Sequence, residues 1–232
     1  MPVKSASSRL LPPSLGNVRV FIRVRPLLEG ERKHCNNDCD GHLQFIDENT
    51  LQVVKNSGDP SGKQESCRWN KEKKETFQYK FDRIFPPKCT QNEVYEEVAL
   101  LIRSALDGFN VSLLAYGQTK AGKTFTMEGI SGNVNLQGII PRTINELFNL
   151  INELQKKGWI YSVKTSFFEI YNERIIDLLN ERTASEVSVN NLKVVTASNK
   201  NELLKLVQSA LNKRAVSHKK QFLLVKIAFN TS

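Results

Sequence analysis

Long apolar runs are missing from this sequence of 232 residues. No stretch approaches the about 20 apolar residues that a membrane-spanning helix needs. The first residues, 1–15, are rich in serine and proline and lack the apolar core, about 7–15 residues long, of a secretory signal peptide. We therefore expect a disordered N-terminal tail at 1–15, no membrane partner, and a location in the cytosol or nucleus.

Cysteine is also scarce. The four cysteines are Cys35, Cys39, Cys67 and Cys89. They are too few for a disulfide framework, and a cytosolic chain would keep them reduced. Cys35 and Cys39 lie between His34 and His42, so a zinc site has to be weighed against a plain surface loop. The spacing is not that of the usual zinc fingers, and the intervening asparagine and aspartate residues favour the loop.

Acidic residues are scarce near the C-terminus. Between Asn190 and Ser232 lie eight basic residues and one acidic residue, Glu202, a surplus of seven within a net charge of +9. Such a surplus favours acidic partners by long-range attraction, for example nucleic acid, an acidic lipid surface or an acidic protein polymer. A solvated segment without a partner can have the same composition, so charge alone leaves both interpretations open.

The apolar patterns predict an α/β protein without a convincing second domain. Strands are expected at 18–24, 77–81, 111–116, 160–170 and 222–229, with a hairpin at 41–55, a polar loop at 56–76 and a short apolar turn at 175–179. Helices are expected from the capping box of Thr90 and Glu93 to Gly108, from Pro141 to Gly158, and from Asn199 to about Arg214. Strands that alternate with helices are typical of an α/β sheet.

The most informative stretch follows the apolar run 111–116, which has the composition of a buried strand. It fits the pattern G-x-x-x-x-G-K-[S/T] with Gly117, Gln118, Thr119, Lys120, Ala121, Gly122, Lys123 and Thr124. Such a loop surrounds a β-phosphate with backbone N–H groups, and a side chain at either glycine would block that approach. Lys123 is expected to reach the β- and γ-phosphates, and the Thr124 hydroxyl to ligate Mg²⁺. A helix that starts here would direct its positive end at the anion.

A second group of candidate residues lies at the C-terminal end of the first predicted strand: Arg23, Arg25 and Pro26. Ligands bind at such strand ends in α/β sheets, and an arginine plane or a proline ring can cover a purine face. A salt bridge at the strand edge is the alternative for the two arginines, and these residues alone leave both interpretations open.

Five segments together resemble the kinesin motor domain. They are GNVRVFIRVRPL at 16–27, FDRIFPP at 81–87, LLAYGQTKAGKTFTMEG at 113–129, GIIPR at 138–142 and SFFEIYNERIIDLL at 166–179, in the order and at the spacing of that family. The opening GNVRVFIRVRPLL and the stretch IRSALDGFNVSLLAYGQT are most similar to the C-terminal-motor kinesins, which move toward microtubule minus ends and act in spindles. The resemblance implies a partial motor domain over residues 16–232, a P-loop NTPase fold with a central sheet and helices on both faces.

The resemblance also implies a chemistry. It implies that Arg23, Arg25 and Pro26 border the adenine of ATP or ADP, that Phe125 stacks on the base, and that Gly117 to Thr124 hold the phosphates and Mg²⁺. For Phe125 alone, core packing is the competing interpretation. The family couples ATP hydrolysis to movement on microtubules, which implies a cytoplasmic, cytoskeletal protein, with the spindle as one site, and makes nucleic acid an unexpected partner.

One pair of acidic residues, Glu169 and Glu173, has a spacing that could serve acid–base chemistry. In the family, however, this stretch is mainly architectural and joins a sheet strand to a short element. We favour the architectural interpretation.

Within the loop, the chain departs from the family at Lys120 and Ala121, where most kinesins have glycine or serine. If Lys120 adopts a positive φ, a side chain at this position costs roughly 1 kcal/mol. Its side chain could add a phosphate contact or extend into solvent.

Two family motifs are not recognisable. The first switch, N-x-x-S-S-R-S-H, should lie within 212–220, where only Ser217 and His218 match its end. The second, D-L-A-G, has no counterpart, because the only aspartate after Thr124 is Asp177, and no glycine follows it. By resemblance, that switch, the main microtubule-binding elements and two strands that flank the P-loop strand would lie beyond residue 232. No heptad repeat precedes residue 16, so the sequence gives no reason to expect a coiled-coil dimer.

Three functions follow from these observations. The first is a kinesin-like, ATP-binding motor domain associated with microtubules. The second is a kinesin-derived module that binds nucleotide but does not move, because a γ-phosphate sensor converts hydrolysis into motion. The third is a degenerate product that binds acidic polymers through its basic C-terminal segment. Whether the chain is an ATPase is left open by the missing switches.

Overall fold

The computed structural model describes residues 18–34, 42–56, 74–171, 173–180, 191–213 and 222–231. The chain divides into two compact units, Met1–Cys89 and Thr90–Ser232. The predicted disordered tail at 1–15 lies outside the described residues.

The described part of the first unit contains two small sheets and a short helix. Its elements are β1 (Phe21–Arg23), α1 (Glu29–His34), β2 (Leu43–Phe45), β3 (Thr50–Asn56), β4 (Lys74–Lys80) and β5 (Arg83–Phe85). β1 pairs with β5 in parallel, while β2, β3 and β4 form an antiparallel sheet in that order. The hairpin predicted at 41–55 is therefore confirmed by β2 and β3.

Local chemistry explains that hairpin. Asp47 Oδ1 accepts hydrogen bonds from the backbone N–H groups of Asn49 and Thr50 at 2.7 and 2.6 Å, and these bonds close the turn between β2 and β3. The polar loop predicted at 56–76 is wrong at both ends. β3 and β4 stay paired as far as Asn56 opposite Lys74, because each backbone group then has a cross-strand partner.

The first strand is shorter than the predicted 18–24. Its partner β5 is followed by Pro86 and Pro87, and proline has no N–H group with which to extend the pairing. β1 therefore ends at Arg23, and the Val24 N–H makes a last hydrogen bond to the Phe85 carbonyl at 2.9 Å.

In its described residues, the second unit combines helices with one antiparallel sheet. Its elements are α2 (Gln91–Leu106), α3 (Lys123–Met127), a 3-10 helix (Val134–Leu136), α4 (Ile139–Gln155), β6 (Tyr161–Tyr171), β7 (Arg174–Asp177), β8 (Val195–Ala197), α5 (Lys200–Lys213) and β9 (Phe222–Thr231). The α/β class predicted from the sequence is confirmed.

The long helices begin where their capping residues predict. At α2, the Thr90 hydroxyl accepts from the Glu93 N–H and the Glu93 carboxylate accepts from the Thr90 N–H, which is the predicted capping box. At α5, Asn199 Oδ1 accepts from the Glu202 N–H at 2.9 Å. α4 begins at Ile139 rather than at Pro141. Pro141 is tolerated in the first turn because the N–H groups of that turn have no partner within the helix.

β6 is the central strand of the sheet in this unit. β9 pairs with it from Tyr161 opposite Thr231 to Ile170 opposite Phe222. β7 and β8 pair with opposite ends of β6, and because a strand has only two edges, they share the edge that β9 leaves. The predicted apolar turn at 175–179 is wrong, since this stretch begins as β7 and doubles back on β6 through a tight turn with Glu173 at a φ of 64°.

The core of the second unit is formed by the sheet together with α2, α4 and α5. Its buried residues are Leu106, Ile144, Leu147, Phe148, Ile151, Val163, Phe167, Leu178, Ala197, Leu203, Val207 and Ala210. The Tyr95 hydroxyl joins α2 to α4 by donating to Glu146 Oε2 at 2.7 Å. Burial, and then the neighbouring Glu146 carboxylate, raise the pKa of Tyr95 well above its ordinary value. None of the described helices is both long and apolar enough to cross a membrane.

The prediction of a buried strand at 111–116 is wrong. Among the described residues no strand pairs with this stretch, and most of its side chains are exposed: Val111 by 37%, Leu114 by 69% and Tyr116 by 87%. An apolar run becomes a buried strand only when neighbouring strands satisfy its backbone groups and cover its faces. The sequence carries the composition of such a strand, but the described part of the second unit supplies no neighbour for it.

Candidate nucleotide-binding site

The loop Gly117 to Gly122 turns through backbone conformations that glycine favours. Gly117 has a φ of 151° and Gly122 a φ of 95°. A Cβ atom at Gly117 would lie 3.2 Å from the Cβ of Ala121, because the two ends of the loop approach each other closely. The Ala121 N–H donates to the Gln118 carbonyl at 3.2 Å across the same turn. The two motif glycines thus occupy positions where a side chain would be strained or crowded.

Lys120 also adopts a positive φ, of 67°. This is the conformation in which a residue other than glycine is strained. A residue with a Cβ pays about 1–2 kcal/mol there. The Lys120 side chain is exposed.

Replacing Lys120 by glycine is therefore expected to raise the free energy of unfolding by up to about 1.5 kcal/mol. This is the relieved strain of about 1–2 kcal/mol minus the entropy that glycine loses on folding, about 0.5–1 kcal/mol. Urea denaturation measures the change. Ala121→Gly is the control in the same loop, because Ala121 is not among the residues with a positive φ. It is expected to lower the free energy of unfolding by about 0.5–1 kcal/mol. Equal losses for both variants would contradict the assignment of strain to Lys120.

The Lys123 ammonium lies over the start of the loop. Its Nζ donates to the carbonyl oxygens of Gly117 and Gln118, each at 2.8 Å. An ammonium has three N–H donors, so these two bonds leave one for an anion. These bonds hold the charge within the turn of the loop, and its contact with phosphates stays a prediction.

The helix that follows the loop is shorter than the motif suggests. α3 has five residues and no buried side chain, with its first backbone bond from the Thr126 N–H to the Gly122 carbonyl at 2.9 Å. So short a helix contributes little dipole, and the N–H groups of the loop must provide most of the field for an anion. Thr124 and Phe125 are exposed, Phe125 by 37%, so the competing interpretation of Phe125 as a core residue is not supported.

Between α3 and α4 the chain doubles back on itself, and we call residues 125–138 the crossing. The Gly138 N–H donates to the Glu128 carbonyl at 3.0 Å, and the Ile130 N–H donates to the Leu136 carbonyl at 3.0 Å. The Arg142 guanidinium holds the 3-10 helix and the residue after it by donating hydrogen bonds to the carbonyls of Val134, Asn135 and Gln137. This crossing fixes the far end of α3.

Gln91 is a residue of the site that sequence reasoning missed. Its side-chain amide donates to the carbonyl of Phe125, in α3, at 2.6 Å. The only signal in the sequence is an amide directly after the Thr90 cap, which is ordinary for a first helical turn. A contact between a side chain and a backbone carbonyl so far along the chain has no local pattern.

Arg23, Arg25 and Pro26 lie in the first unit, at and after the end of β1, whereas residues 117–125 lie in the second. Arg25 forms a two-pronged ion pair with Glu31 at 2.5 and 2.7 Å, which is the alternative weighed for it from the sequence. Arg23 is half-buried, and burial lowers its pKa. The adenine role of these three residues stays a prediction.

Metal ligands are sparse in the described part of the chain. It contains no group of three or more histidine, cysteine, aspartate or glutamate side chains placed to hold a metal. Of the residues weighed for zinc, Cys35 and Cys39 lie outside the described residues, and the His42 Nδ1 contacts the Val54 carbonyl at 2.9 Å. For Mg²⁺, the loop offers the Thr124 hydroxyl, which suits an ion bound chiefly by phosphate oxygens and water.

The acidic candidates after the loop are used structurally. Glu169 is buried within β6 while Glu173 is exposed in the β6–β7 turn, so the two carboxylates have different environments. Asp177 accepts from the N–H groups of Leu179 and Lys193 at 2.8 and 2.7 Å, which ties down the chain after β7. The segment expected to hold the first switch, between α5 and β9, lies outside the described residues.

Comparison with known proteins agrees with this loop and fold. A family model described as the kinesin motor domain matches residues 23–221. The chain is 42% identical to Carboxy-terminal kinesin 2 of Xenopus laevis over 186 residues, which is 79% of this chain and 27% of that protein. It is 39% identical to Kinesin-like protein KIFC1 of Mus musculus over 233 residues, covering 89% of this chain and 33% of that protein.

A yeast relative, Kinesin-like protein KAR3 of Saccharomyces cerevisiae, is 41% identical over 166 residues, 71% of this chain and 20% of that protein. The chain thus spans about a third or less of the length of these relatives. The match nevertheless extends over most of the chain and includes the loop 117–124. The chain belongs to the kinesin motor-domain family.

Proposed function

We propose that this chain is a kinesin-type motor domain that binds Mg·ATP or Mg·ADP at Gly117 to Thr124 and associates with microtubules, in the cytoplasm on the cytoskeleton, with the spindle as one place of action. The observation that carries the proposal is the Lys123 ammonium, held at 2.8 Å from two carbonyls of a loop whose backbone takes a positive φ at Gly117, Lys120 and Gly122. Family membership supports it independently.

The residues present fit a polyphosphate. A loop whose backbone turns through positive φ can direct successive N–H groups inward, as anion-binding loops do. Lys123 would add a charge-assisted hydrogen bond from its remaining donor to a β- or γ-phosphate oxygen. The Thr124 hydroxyl would hold Mg²⁺, which when bound neutralises charge that develops on the phosphates. Arg23, Arg25 and Pro26 would border the adenine, and the exposed Phe125 ring would stack on it.

A non-moving, nucleotide-binding module is the second candidate. One observation favours it: Asp177, the only aspartate after Thr124, already accepts two backbone hydrogen bonds. Those two bonds hold Asp177 at the end of β7, and within the described part of the chain no hydrogen bond joins its carboxylate to the loop 117–124. In this case the chain would bind nucleotide and microtubules without coupling one to the other.

Two assays on the purified chain separate these functions. Equilibrium binding of a fluorescent ADP analogue with Mg²⁺ tests the site, and phosphate release from ATP with and without microtubules tests turnover. A motor domain is expected to bind the analogue and to release phosphate at least about tenfold faster with microtubules, because binding to the track speeds a step of the cycle. Analogue binding without stimulated release would support the module instead.

Binding to microtubules has its own measurement, which is co-sedimentation at increasing salt concentration. Kinesin-type binding is expected to vary with the nucleotide present and to weaken in Lys123→Ala. The exposed lysines of α5, Lys200, Lys205 and Lys213, would by contrast give binding that falls with salt alone, whichever nucleotide is added. Salt-sensitive pelleting that Lys123→Ala leaves unchanged would favour a degenerate product that binds acidic polymers.

A further inference from the structure

The side chain of Gln91 is buried at the start of α2, with 4% of its surface exposed. Its Nε2 donates to the carbonyl of Phe125 at 2.6 Å and to the carbonyl of Leu136 at 3.3 Å. These carbonyls belong to α3 and to the 3-10 helix, at the two ends of the crossing that leads to α4. One amide therefore joins three segments of the second unit.

α3 depends on such polar contacts for its position. It has no buried side chain, so apolar packing does little to hold it. The helix ends after one turn, where the Gly129 N–H donates to the Thr124 carbonyl at 3.3 Å. Gln91 donates to the Phe125 carbonyl within that turn.

Gln91 is itself held in place. It is the first residue of α2, directly after Thr90, whose capping box with Glu93 fixes the start of that helix. The α2 helix packs on α4 through the Tyr95–Glu146 hydrogen bond. The amide thus extends from a long, partly buried helix to a short helix without a buried side chain.

We propose that Gln91 is a positioning residue for the nucleotide loop, an inference that rests on the function proposed above. By holding the carbonyl of Phe125, it sets the position of the two preceding residues, Lys123 and Thr124. Those two residues provide the ammonium for the phosphates and the hydroxyl for Mg²⁺. A site whose ligands sit on a weakly packed helix binds tightly only if neighbouring hydrogen bonds fix that helix.

The test is the Gln91→Met variant, which keeps a similar volume but has no donor. The dissociation constant for a fluorescent Mg·ADP analogue is expected to rise about tenfold, which is the loss of one hydrogen bond's contribution to the bound geometry. Circular dichroism and urea denaturation report the folded fraction, so the affinity refers to folded protein. A merely structural glutamine would lower stability and leave the affinity of the folded fraction unchanged.

Gln208→Met is the matched control, since it makes the same substitution in α5. The Gln208 side chain is exposed, and its Nε2 donates to Asn212 Oδ1 at 3.0 Å within the same helix. The dissociation constant of Gln208→Met is expected to stay within about twofold of that of the unmodified chain. Equal weakening by Gln208→Met and Gln91→Met would overturn the inference.

The outcomes also separate the inference from the proposed function. If the unmodified chain does not bind the analogue, the proposed function fails and the inference fails with it. If the chain binds, Lys123→Ala loses binding and Gln91→Met binds normally, only the inference fails.

A measurement on the unmodified protein covers the case in which Gln91→Met does not fold. Hydrogen exchange with and without Mg·ADP is expected to slow in the crossing 125–138 as well as in the loop 117–124, because the Gln91 amide joins Phe125 to Leu136. Slowing confined to 117–124 would overturn the inference.

Discussion

Lys123→Ala is expected to weaken binding of Mg·ADP by at least about 100-fold. Its ammonium lies 2.8 Å from the carbonyls of Gly117 and Gln118, within the turn that would surround the phosphates. A hydrogen bond to a charged group is worth about 1.5–3 kcal/mol, and because the donor and the acceptor are both charged here, about 3 kcal/mol is lost. Titration calorimetry with Mg·ADP and Mg·ATP measures this directly.

The matched control for this variant is Lys157→Ala. Lys157 is exposed in the turn after α4, so its removal lowers the net charge by the same amount far along the chain from the loop. Its affinity is expected to stay within about twofold. The free energy of unfolding of Lys123→Ala should change by less than about 1 kcal/mol, because the two freed carbonyls are exposed and can bind water. Binding by Lys123→Ala within about threefold of the unmodified chain would exclude the loop as the phosphate site.

Gly129→Ala is expected to be the most destabilising single substitution considered. Gly129 has a φ of 76°, and an added Cβ would lie 2.1 Å from the Leu136 oxygen and 2.3 Å from the Gly138 nitrogen. Both atoms belong to the backbone, so they can move only if the crossing opens. We expect a loss of at least about 3 kcal/mol in the free energy of unfolding, a large share of the about 5–15 kcal/mol of a typical domain. Urea denaturation followed by circular dichroism gives the change.

Gly132→Ala separates steric overlap from backbone strain. Gly132 has a similar φ, 83°, but a Cβ there meets no atom within 4 Å. Its cost is expected to be about 1 kcal/mol, the strain of a left-handed alanine less the entropy that alanine saves. If the two variants lose equal stability, the close approach at Gly129 does not matter to the fold.

The elements that sequence reasoning placed well are those with local causes. α2 and α5 begin after the capping residues Thr90 and Asn199, whose side chains accept from N–H groups of the first helical turn. A few neighbouring residues are therefore enough to predict where these helices start. The loop 117–122 could also be predicted locally, since its own backbone conformation requires the glycines. Composition placed the long strand β6 and its partner β9 in the same way.

The misplaced elements depend on distant partners. The sequence predicts an apolar turn in place of β7, because only the pairing with β6 identifies this stretch as a strand. β8 has three residues, too few for a recognisable pattern. The run 111–116 shows the opposite error, because its composition indicates a buried strand while its neighbours decide whether it becomes one. Gln91 could not be found either, since its role depends on a carbonyl in another helix.

The uncovered run 111–116 leads directly into Gly117, so the two halves of the phosphate loop are supported unequally. The trailing half continues into α3, whose Phe125 carbonyl accepts from Gln91 of α2, whereas the leading half follows a stretch with no paired strand on either edge in the described part of the chain. Apart from the bonds that Lys123 and Ala121 donate to the carbonyls of Gly117 and Gln118, no described hydrogen bond fixes this end of the loop, so much of the conformational entropy lost on closing around an anion is lost there. A substitution that orders residues 117–119 before binding is therefore expected to raise the affinity for the anion more than an added positive charge at the end of the loop.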